Sequence, residues 1–327
     1  MEVITLEHIA QKDPDPIKAG VCQILRKESE VMDTLKFRTI PQMKVTNYLE
    51  GEIKNVTFRR VNQPFGSVVH GKMKEVNEGM YAIGNMIDID EFYMKDKTEK
   101  IIDPVVAQTN QTVKAIGRAF TDAFINNSPT DNPDAFTGLR YRLSQSDILN
   151  PEQSVFAGKA GNPLDLDPYG AGYNVNAKIF FRKLDEAISE CAEKPDFAVC
   201  NKQFLQTLNA LHRDSGYLKT TEDSLGRKFT EYDGIKFVDA KIRTDGEQII
   251  GNTETISGDL TGGNCTSVYF IRQSEEFLQP FQMESLTTKD IGYLDDGVTY
   301  RVLVSWYLGM LITHPKSVSR LYGIKLA

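Results

Sequence analysis

The chain has 327 residues, 40% of them apolar and 25% charged, which suits one large domain or two lobes and excludes wholesale disorder. Its formal net charge of −7 argues against a surface that holds nucleic acid phosphates by broad attraction, so direct DNA reading is not expected. No apolar run reaches the roughly 18 residues of a membrane span, and the first residues, MEVITLEHIAQKDPDP, lack the basic start and apolar core of a secretory signal, so the expected setting is the cytoplasm, with no membrane partner.

Residues 1–15 show no sustained hydrophobic period and end in Asp13-Pro14-Asp15-Pro16, a doubled turn-or-cap signal that sets an arm apart from the first helix. Asp15 and Pro16 then give a cap-plus-proline helix start, and Ile17, Val21, Ile24 or Leu25, Val31 or Met32, and Leu35 predict one amphipathic helix. Leu35 to Ile40 alternates like a short strand.

From Pro41 to Glu78 the chain alternates in places, as at Val56-Thr57-Phe58-Arg59, yet has few apolar residues and charges throughout. It reads as a long two-stranded ribbon without a core of its own, and an isolated ribbon is marginal in water because it buries too little surface to offset chain ordering. Either it folds back on its own domain or it lies on a neighbouring molecule.

Met80 to Asp90 reads as a strand leading to the longest helical signal in the chain, Pro104 to Ile125. Asp103 caps it, Pro104 suits its first position, and Val106, Thr109, Val113, Ile116, Phe120 and Ala123 recur at spacings of three and four along one side. At about 1.5 Å per residue it would be roughly 33 Å long, an ordinary core helix or the backbone of something extended. Asn126-Asn127, residues that tolerate a left-handed turn, and Ser128-Pro129 end it. After a Gly/Pro/Asp-rich loop from Phe156 to Asn174, a second lobe begins. Phe180, Leu184, Ala187, Ile188 and Cys191 form a helical stripe ended by Pro195, Phe197 to Cys200 a buried strand, Asn201 a cap, and Phe204, Leu205, Leu208 and Leu211 a second stripe. Strands follow at Ile235 to Val238, Ser267 to Arg272, Phe281 to Met283 and Val298 to Ile312, the last kinked at Gly309. The mixture is α+β, with helices and strands segregated.

The tools of an enzyme are missing from the sequence. Cys22, Cys191, Cys200 and Cys265 form no C-x-x-C pair and are expected to be buried free thiols. His8, His70, His212 and His314 stand alone, and no G-x-S-x-G elbow, Walker loop or G-x-G-x-x-G fingerprint occurs. Asp165, Asp167 and Gly170 resemble the opening of a calcium loop, but Tyr169 occupies a ligand position and Asn176 stands where the bidentate Glu belongs. Asp88, Asp90, Asp295 and Asp296 sit where strand ends and turns commonly carry carboxylates. No catalytic residue, metal or cofactor is expected.

Three stretches together resemble the major capsid proteins of tailed bacteriophages with the HK97-like fold, particularly the short-tailed-phage branch. They are Pro16 to Phe37; Phe58-Arg59-Arg60-Val61-Asn62 followed by Ile87-Asp88-Ile89-Asp90, the long helix and Phe136-Thr137-Gly138-Leu139; and Tyr300 to Met310 followed by His314 to Ile324. The resemblance implies an N-terminal arm and first helix at 1–40, an extended loop at 41–78 lying over an adjacent subunit, and a peripheral domain at 79–155 with a spine helix at 104–125. It further implies an axial domain at 156–267 around five-fold and six-fold centres, return strands of the peripheral domain at 268–312, and a C-terminal segment at 313–327 rejoining the axial domain. The implied partners are further copies in pentamers and hexamers, a separate scaffolding protein, a portal protein and a decoration protein, with double-stranded DNA enclosed but not read. The implied setting is the virion capsid, reached by assembly in the host cytoplasm. An encapsulin-like compartment is the alternative within the fold, and a cytosolic α+β enzyme the alternative outside it. Lys72 and Lys74 match no Lys–Asn cross-linking site known in some relatives, so no covalent bond between subunits is expected. The subunit contacts expected in the charged loop are Lys44, Glu50, Glu52, Lys54, Arg59 and Arg60.

Overall fold

The structure, a computed structural model, describes residues 3–5, 16–50, 58–63, 73–95, 104–144, 149, 151–159, 161–170, 172–215, 219–222, 228–257 and 262–326. The first half of the chain runs β1 (Val3–Thr5), α1 (Pro16–Glu28), α2 (Glu30–Thr34), β2 (Lys36–Thr39), β3 (Lys44–Glu50), β4 (Met73–Gly79), β5 (Tyr81–Asp90), α3 (Glu91–Lys95), α4 (Pro104–Asn126) and α5 (Leu139–Ser144). The second half runs β6 (Ser154–Phe156), β7 (Leu164–Asp165), α6 (Tyr173–Ser189), β8 (Phe197–Cys200), α7 (Lys202–Ser215), β9 (Lys219–Glu222), β10 (Lys228–Tyr232) and β11 (Ile235–Asp239). It closes with β12 (Thr266–Ile271), β13 (Leu278–Gln282), β14 (Thr287–Tyr293), β15 (Thr299–Ile312) and β16 (Val318–Lys325).

One sheet is built on β15. Its Thr299–Leu308 stretch pairs with β5 along one edge, while β14 and then β13 pair along the other. β2 continues the sheet parallel to β13, and β1 adds antiparallel to β2, with Ile4 opposite Phe37. The arm thus contributes a strand where the sequence shows no pattern; three residues are too few to display a period. Residues 6–15 lie outside the described residues. The second sheet has the order β6-β16-β12-β8-β11-β10-β9, with β7 also on β16.

The second sheet is buried on both faces at its centre, which is why β8 and β12 read as continuous apolar runs. Phe197, Val199, Tyr269 and Ile271 face a core shared with the first sheet and the long helix. Ala198, Cys200, Val268 and Phe270 face the other way, toward Phe180 and Leu184 of α6 and Phe204 and Leu208 of α7. In the shared core Trp306 meets Phe37 at 5.2 Å and Phe120 at 5.8 Å between ring centroids, and its indole N–H donates to Gln282 Oε1 at 2.9 Å. The polar handle of the one buried tryptophan is thereby satisfied.

Several sequence expectations are corrected. The first helix is two: Ser29 takes extended backbone (φ −124°, ψ 110°) and its hydroxyl accepts from the Met32 N–H at 3.2 Å, capping α2 and breaking the stripe. The fully buried side of α4 begins at Val113: Val106 is 51% exposed, and in the first turn Val105 packs on the core while only partly buried. Asn126 and Asn127 do not enter the left-handed region. The helix ends instead through the Asn127 amide, which donates to the Phe136 carbonyl at 2.8 Å and holds the following loop back against the helix. α6 stops at Ser189, six residues before Pro195. β15 is unbroken at Gly309, whose register against Phe281 is regular. A Cβ there would come 2.3 Å from Phe281 Cζ and 2.7 Å from the Gly79 carbonyl oxygen, so the glycine admits a ring and does not bend the strand.

Candidate assembly surface

Two paired strands form within the expected ribbon, while Val56 and Thr57 of its alternating stretch lie outside the described residues and Phe58 to Arg60 are not strand. β3 and β4 pair antiparallel from Lys44 opposite Gly79 to Glu50 opposite Met73, as a two-strand unit separate from both sheets. Its root is fastened to the body. Val45 packs on Ile40, Phe281 and Leu311, and Val76 belongs to the shared core. The Asn47 amide donates to Thr313 Oγ1 at 3.0 Å, and Glu78, nearly buried, accepts from Arg142 of α5 at 2.7 Å. Past the root the described side chains of the ribbon, Tyr48, Lys74, Glu75 and residues 58–63, are exposed. An open cleft of about 870 Å³ is lined by Thr46 and Tyr48 of the ribbon and by Glu275, Glu276 and Gln279 of the body.

Of the expected contact residues, Lys44 is an exposed side chain at the root and Glu50 closes the far end of the β3–β4 ladder. The Glu50 side chain, Glu52 and Lys54 lie outside the described residues. Arg59 and Arg60 sit in a turn with Asn62 in the left-handed region (φ 67°), where Arg59 Nη1 donates to the Gln63 carbonyl at 2.9 Å. Both arginines are exposed, and so are Phe58 at 104% and Val61 at 88%. Three of the six expected side chains are thus described, Lys44 at the root and Arg59 and Arg60 together in the turn. Sequence reasoning missed the root contacts made by Val76 and Glu78, because one buried glutamate among many exposed ones carries no local signal.

A second exposed region lies where β5, β14 and β15 end. The Glu91 N–H donates to the Val298 carbonyl at 2.8 Å, joining the start of α3 to the β14–β15 turn. Phe92, Tyr93, Ile291, Tyr293 and Val298 are all exposed there. Three carboxylates of this end hold their own strands and turn together. Asp88 grips Arg301 through two bonds of 2.6 Å, and that guanidinium holds the Asp88 carboxyl below its usual range. Asp296 accepts from the Thr299 hydroxyl and N–H, which hold it low as well. Asp290 takes the Tyr300 hydroxyl.

Other buried polar groups tie elements together. Glu254, 1% exposed, accepts from Arg140 of α5, from Arg320 of β16 at 3.0 Å and from Ser267 of β12 at 2.9 Å. Burial opposes the Arg140 charge, yet Tyr269 and Glu254 beside it hold the guanidinium above its usual value. His212 is buried in a three-ring cluster with Phe181 and Tyr232, and burial pushes its pKa down. Asp165, from the failed calcium loop, pairs with Lys325 at 2.7 Å, and Asn176 donates to the Asp165 carbonyl. Among the described residues no group of three or more His, Cys, Asp or Glu converges as a metal site, and no helix is long and apolar enough to cross a membrane.

No protein-family model matches the chain, and no curated protein sequence matches it. Solved structures do. An encapsulin complex of Synechococcus elongatus PCC 7942 is 14% identical with a TM-score of 0.58, covering 90% of this chain and 87% of that one. The capsid of a native GTA particle is 10% identical with a TM-score of 0.60, covering 91% and 90%. A chain from Mycobacterium phage Bobi is 10% identical with a TM-score of 0.57, covering 90% and 89%. At such identities the likeness speaks to the fold, and the fold is α+β of the HK97-like capsid type.

Proposed function

We propose that this chain is a structural subunit that assembles with copies of itself into a closed shell, and that the shell is a phage-type capsid enclosing double-stranded DNA. The observation that carries the reading is the ribbon: a charged, two-stranded excursion rooted in the body by Val45, Val76 and Glu78, its described side chains past the root exposed, in a chain whose fold is shared almost end to end with shell proteins. In this reading residues 41–78 are the extended loop over an adjacent subunit, α4 is the spine of a peripheral domain built on the first sheet, and the second sheet with α6 and α7 is the axial domain. β12 goes with the axial domain, since it pairs with β8 and β16. Lys44, Glu50, Glu52, Lys54, Arg59 and Arg60 remain the proposed ribbon contacts. Exposed ion pairs contribute about 0–1 kcal/mol each, so cohesion comes from repetition around closed symmetry. A net charge of −7 suits a container that confines DNA without holding it tightly. Scaffolding, portal and decoration proteins are the partners this reading calls for.

The encapsulin match over 90% of the chain favours a second reading, a compartment for protein cargo. Electron microscopy of the protein expressed alone and with its genomic neighbours decides. Closed particles are expected in at least one condition, and a monodisperse monomer or dimer in every condition would end the shell reading. Particles that need a scaffolding protein and carry a portal vertex support the phage form; particles that copurify with an enzyme support the compartment. Replacing residues 51–72 by a short Gly-Ser turn, which spares the root, is expected to leave a cooperatively melting subunit that forms no particles.

A further inference from the structure

The far turn of the ribbon and the end of the first sheet are opposite in charge and alike in being apolar and exposed. At the turn, Phe58 and Val61 flank Arg59 and Arg60, and residues 58–63 contain no carboxylate. At the sheet end, residues 86–93 and 287–301 carry six carboxylates against two cations, Lys289 and Arg301, and one of those cations is taken by Asp88. Phe92, Tyr93 and Val298 stand exposed among these acids. Clustered exposed aromatic and aliphatic side chains on a soluble protein mark a surface that is covered in use.

We propose that the Phe58–Asn62 turn of one copy docks on this acidic, aromatic sheet end of a second copy. Arg59 and Arg60 meet its carboxylates, Glu91 and Asp295 among them, while the Phe58 ring lies against Phe92 and Val298 and the guanidinium groups gain from the neighbouring rings. Nucleic acid would satisfy the two arginines but leave the acidic end uncovered. A second copy covers both surfaces with one contact, and the same contact repeats from copy to copy, as a ring or shell requires. The proposal rests on the shell reading and names where the ribbon lands.

Two experiments test it. The native cysteines are buried, so a disulfide between introduced surface cysteines is diagnostic. Particles of the Phe58→Cys/Val298→Cys chain, mildly oxidised, are expected to give a ladder of covalent multimers on non-reducing gels, collapsed by reductant, whereas either single variant gives dimers at most. Particles that stay monomeric on the gel, or show a bond within one chain, overturn the docking. In the second experiment Arg59→Glu/Arg60→Glu is expected to lower particle yield at least tenfold with unchanged melting, and adding Glu91→Lys/Asp295→Lys to restore it. Asp88, Asp290 and Asp296 are avoided because each holds its own sheet or turn together. Wild-type yield from the arginine variant, or no recovery in the fourfold variant despite normal melting, overturns the docking while leaving the shell reading intact. Absence of wild-type particles in every condition removes both.

Discussion

Glu78, next to the last residue of β4, is ion-paired with Arg142 of α5 at 2.7 Å, with the guanidinium side chain 1% exposed and the carboxylate 11%. Arg142 Nε also donates to the Thr137 carbonyl at 3.0 Å, so the guanidinium is anchored to the loop after the long helix as well as to the ribbon. One buried cation thus ties the ribbon root to α5 and to the loop before it. Arg142→Met leaves the Glu78 carboxylate without its partner and is expected to destabilise the fold by about 3–5 kcal/mol. Glu78→Met in the same chain should recover much of the loss, because an apolar pair of similar volume often replaces a buried ion pair at little cost. Chemical denaturation of the two variants checks this, and equal stability of the single and double variants would count against the pairing.

Glu254 binds three elements, α5, β12 and β16, through Arg140, Ser267 and Arg320. Arg320 also lies over the Tyr269 ring at 5.5 Å, so the cluster sits where the two sheets share their core. Glu254→Gln removes the only carboxylate shared by two buried guanidinium groups among the described residues. The expected loss is on the order of 3–5 kcal/mol, larger than for Glu254→Asp, which keeps the charge. Urea unfolding at neutral pH, with the two variants ranked against each other, is the measurement.

Much of this fold is legible in the sequence because long apolar periods survive single exceptions. The long helix, β8, β15 and the ribbon each show in a run of residues. The features that stay hidden depend on one side chain or on partners distant in sequence. Ser29 splits a helix because its hydroxyl outcompetes the apolar stripe, and Asn127 closes α4 through its amide, so a left-handed turn is unnecessary. β14 escapes notice because TTKDIGY has almost no buried side chains, its place secured by main-chain pairing with β15. The ribbon and its arginine pair, Arg59 and Arg60, are visible, but its charges are so evenly spread that the buried Glu78 does not stand out.

Gly309, which the sequence marks as a bend in β15, instead makes room for Phe281. Gly309→Ala places a methyl group 2.3 Å from Phe281 Cζ and 2.7 Å from the Gly79 carbonyl oxygen. The ring must move, and such overpacking usually costs about 1–3 kcal/mol. Combining it with Phe281→Leu should recover part of that loss, not all, because the Gly79 main chain cannot retreat without shifting the ribbon root. Thermal melts of the single and double variants check the order, and a wild-type melt for Gly309→Ala would contradict the contact.

The four cysteines are free and buried. Burial pushes the Cys191 thiol up to about 11, against the smaller effect of its bond to Ser319, and pushes Cys200 up as well. Thiolate is the reactive form, so at pH 8 the native protein should take up no thiol reagent on the timescale in which the denatured chain takes up four equivalents. Mass spectrometry after brief labelling at that pH gives the count. Rapid labelling of Cys191 in the native protein would place it nearer the surface than the structure does.

Asp239, at the end of β11, carries a carboxyl whose pKa is raised chiefly by burial and further by Glu30 of α2, against the Lys241 N–H that it accepts at 2.9 Å and the charges of Lys241 and Lys202. Glu30 itself receives the Asp239 N–H at 3.3 Å, so two carboxylates share one corner between α2 and β11. A carboxyl raised on folding contributes stability that is fully present below its unfolded value, near pH 4, and is lost as pH rises through the folded value. At pH 7 the ionised Asp239 is therefore a liability. Asp239→Asn keeps the oxygen that accepts from Lys241 and removes the charge, so it should melt above the wild type at pH 7. The gap should narrow as pH falls and the wild-type carboxyl takes up its proton. Melting curves at pH 7, 5.5 and 4.5 read this directly, and a variant less stable than wild type at pH 7 would mean that Lys241 and Lys202 outweigh burial at this corner.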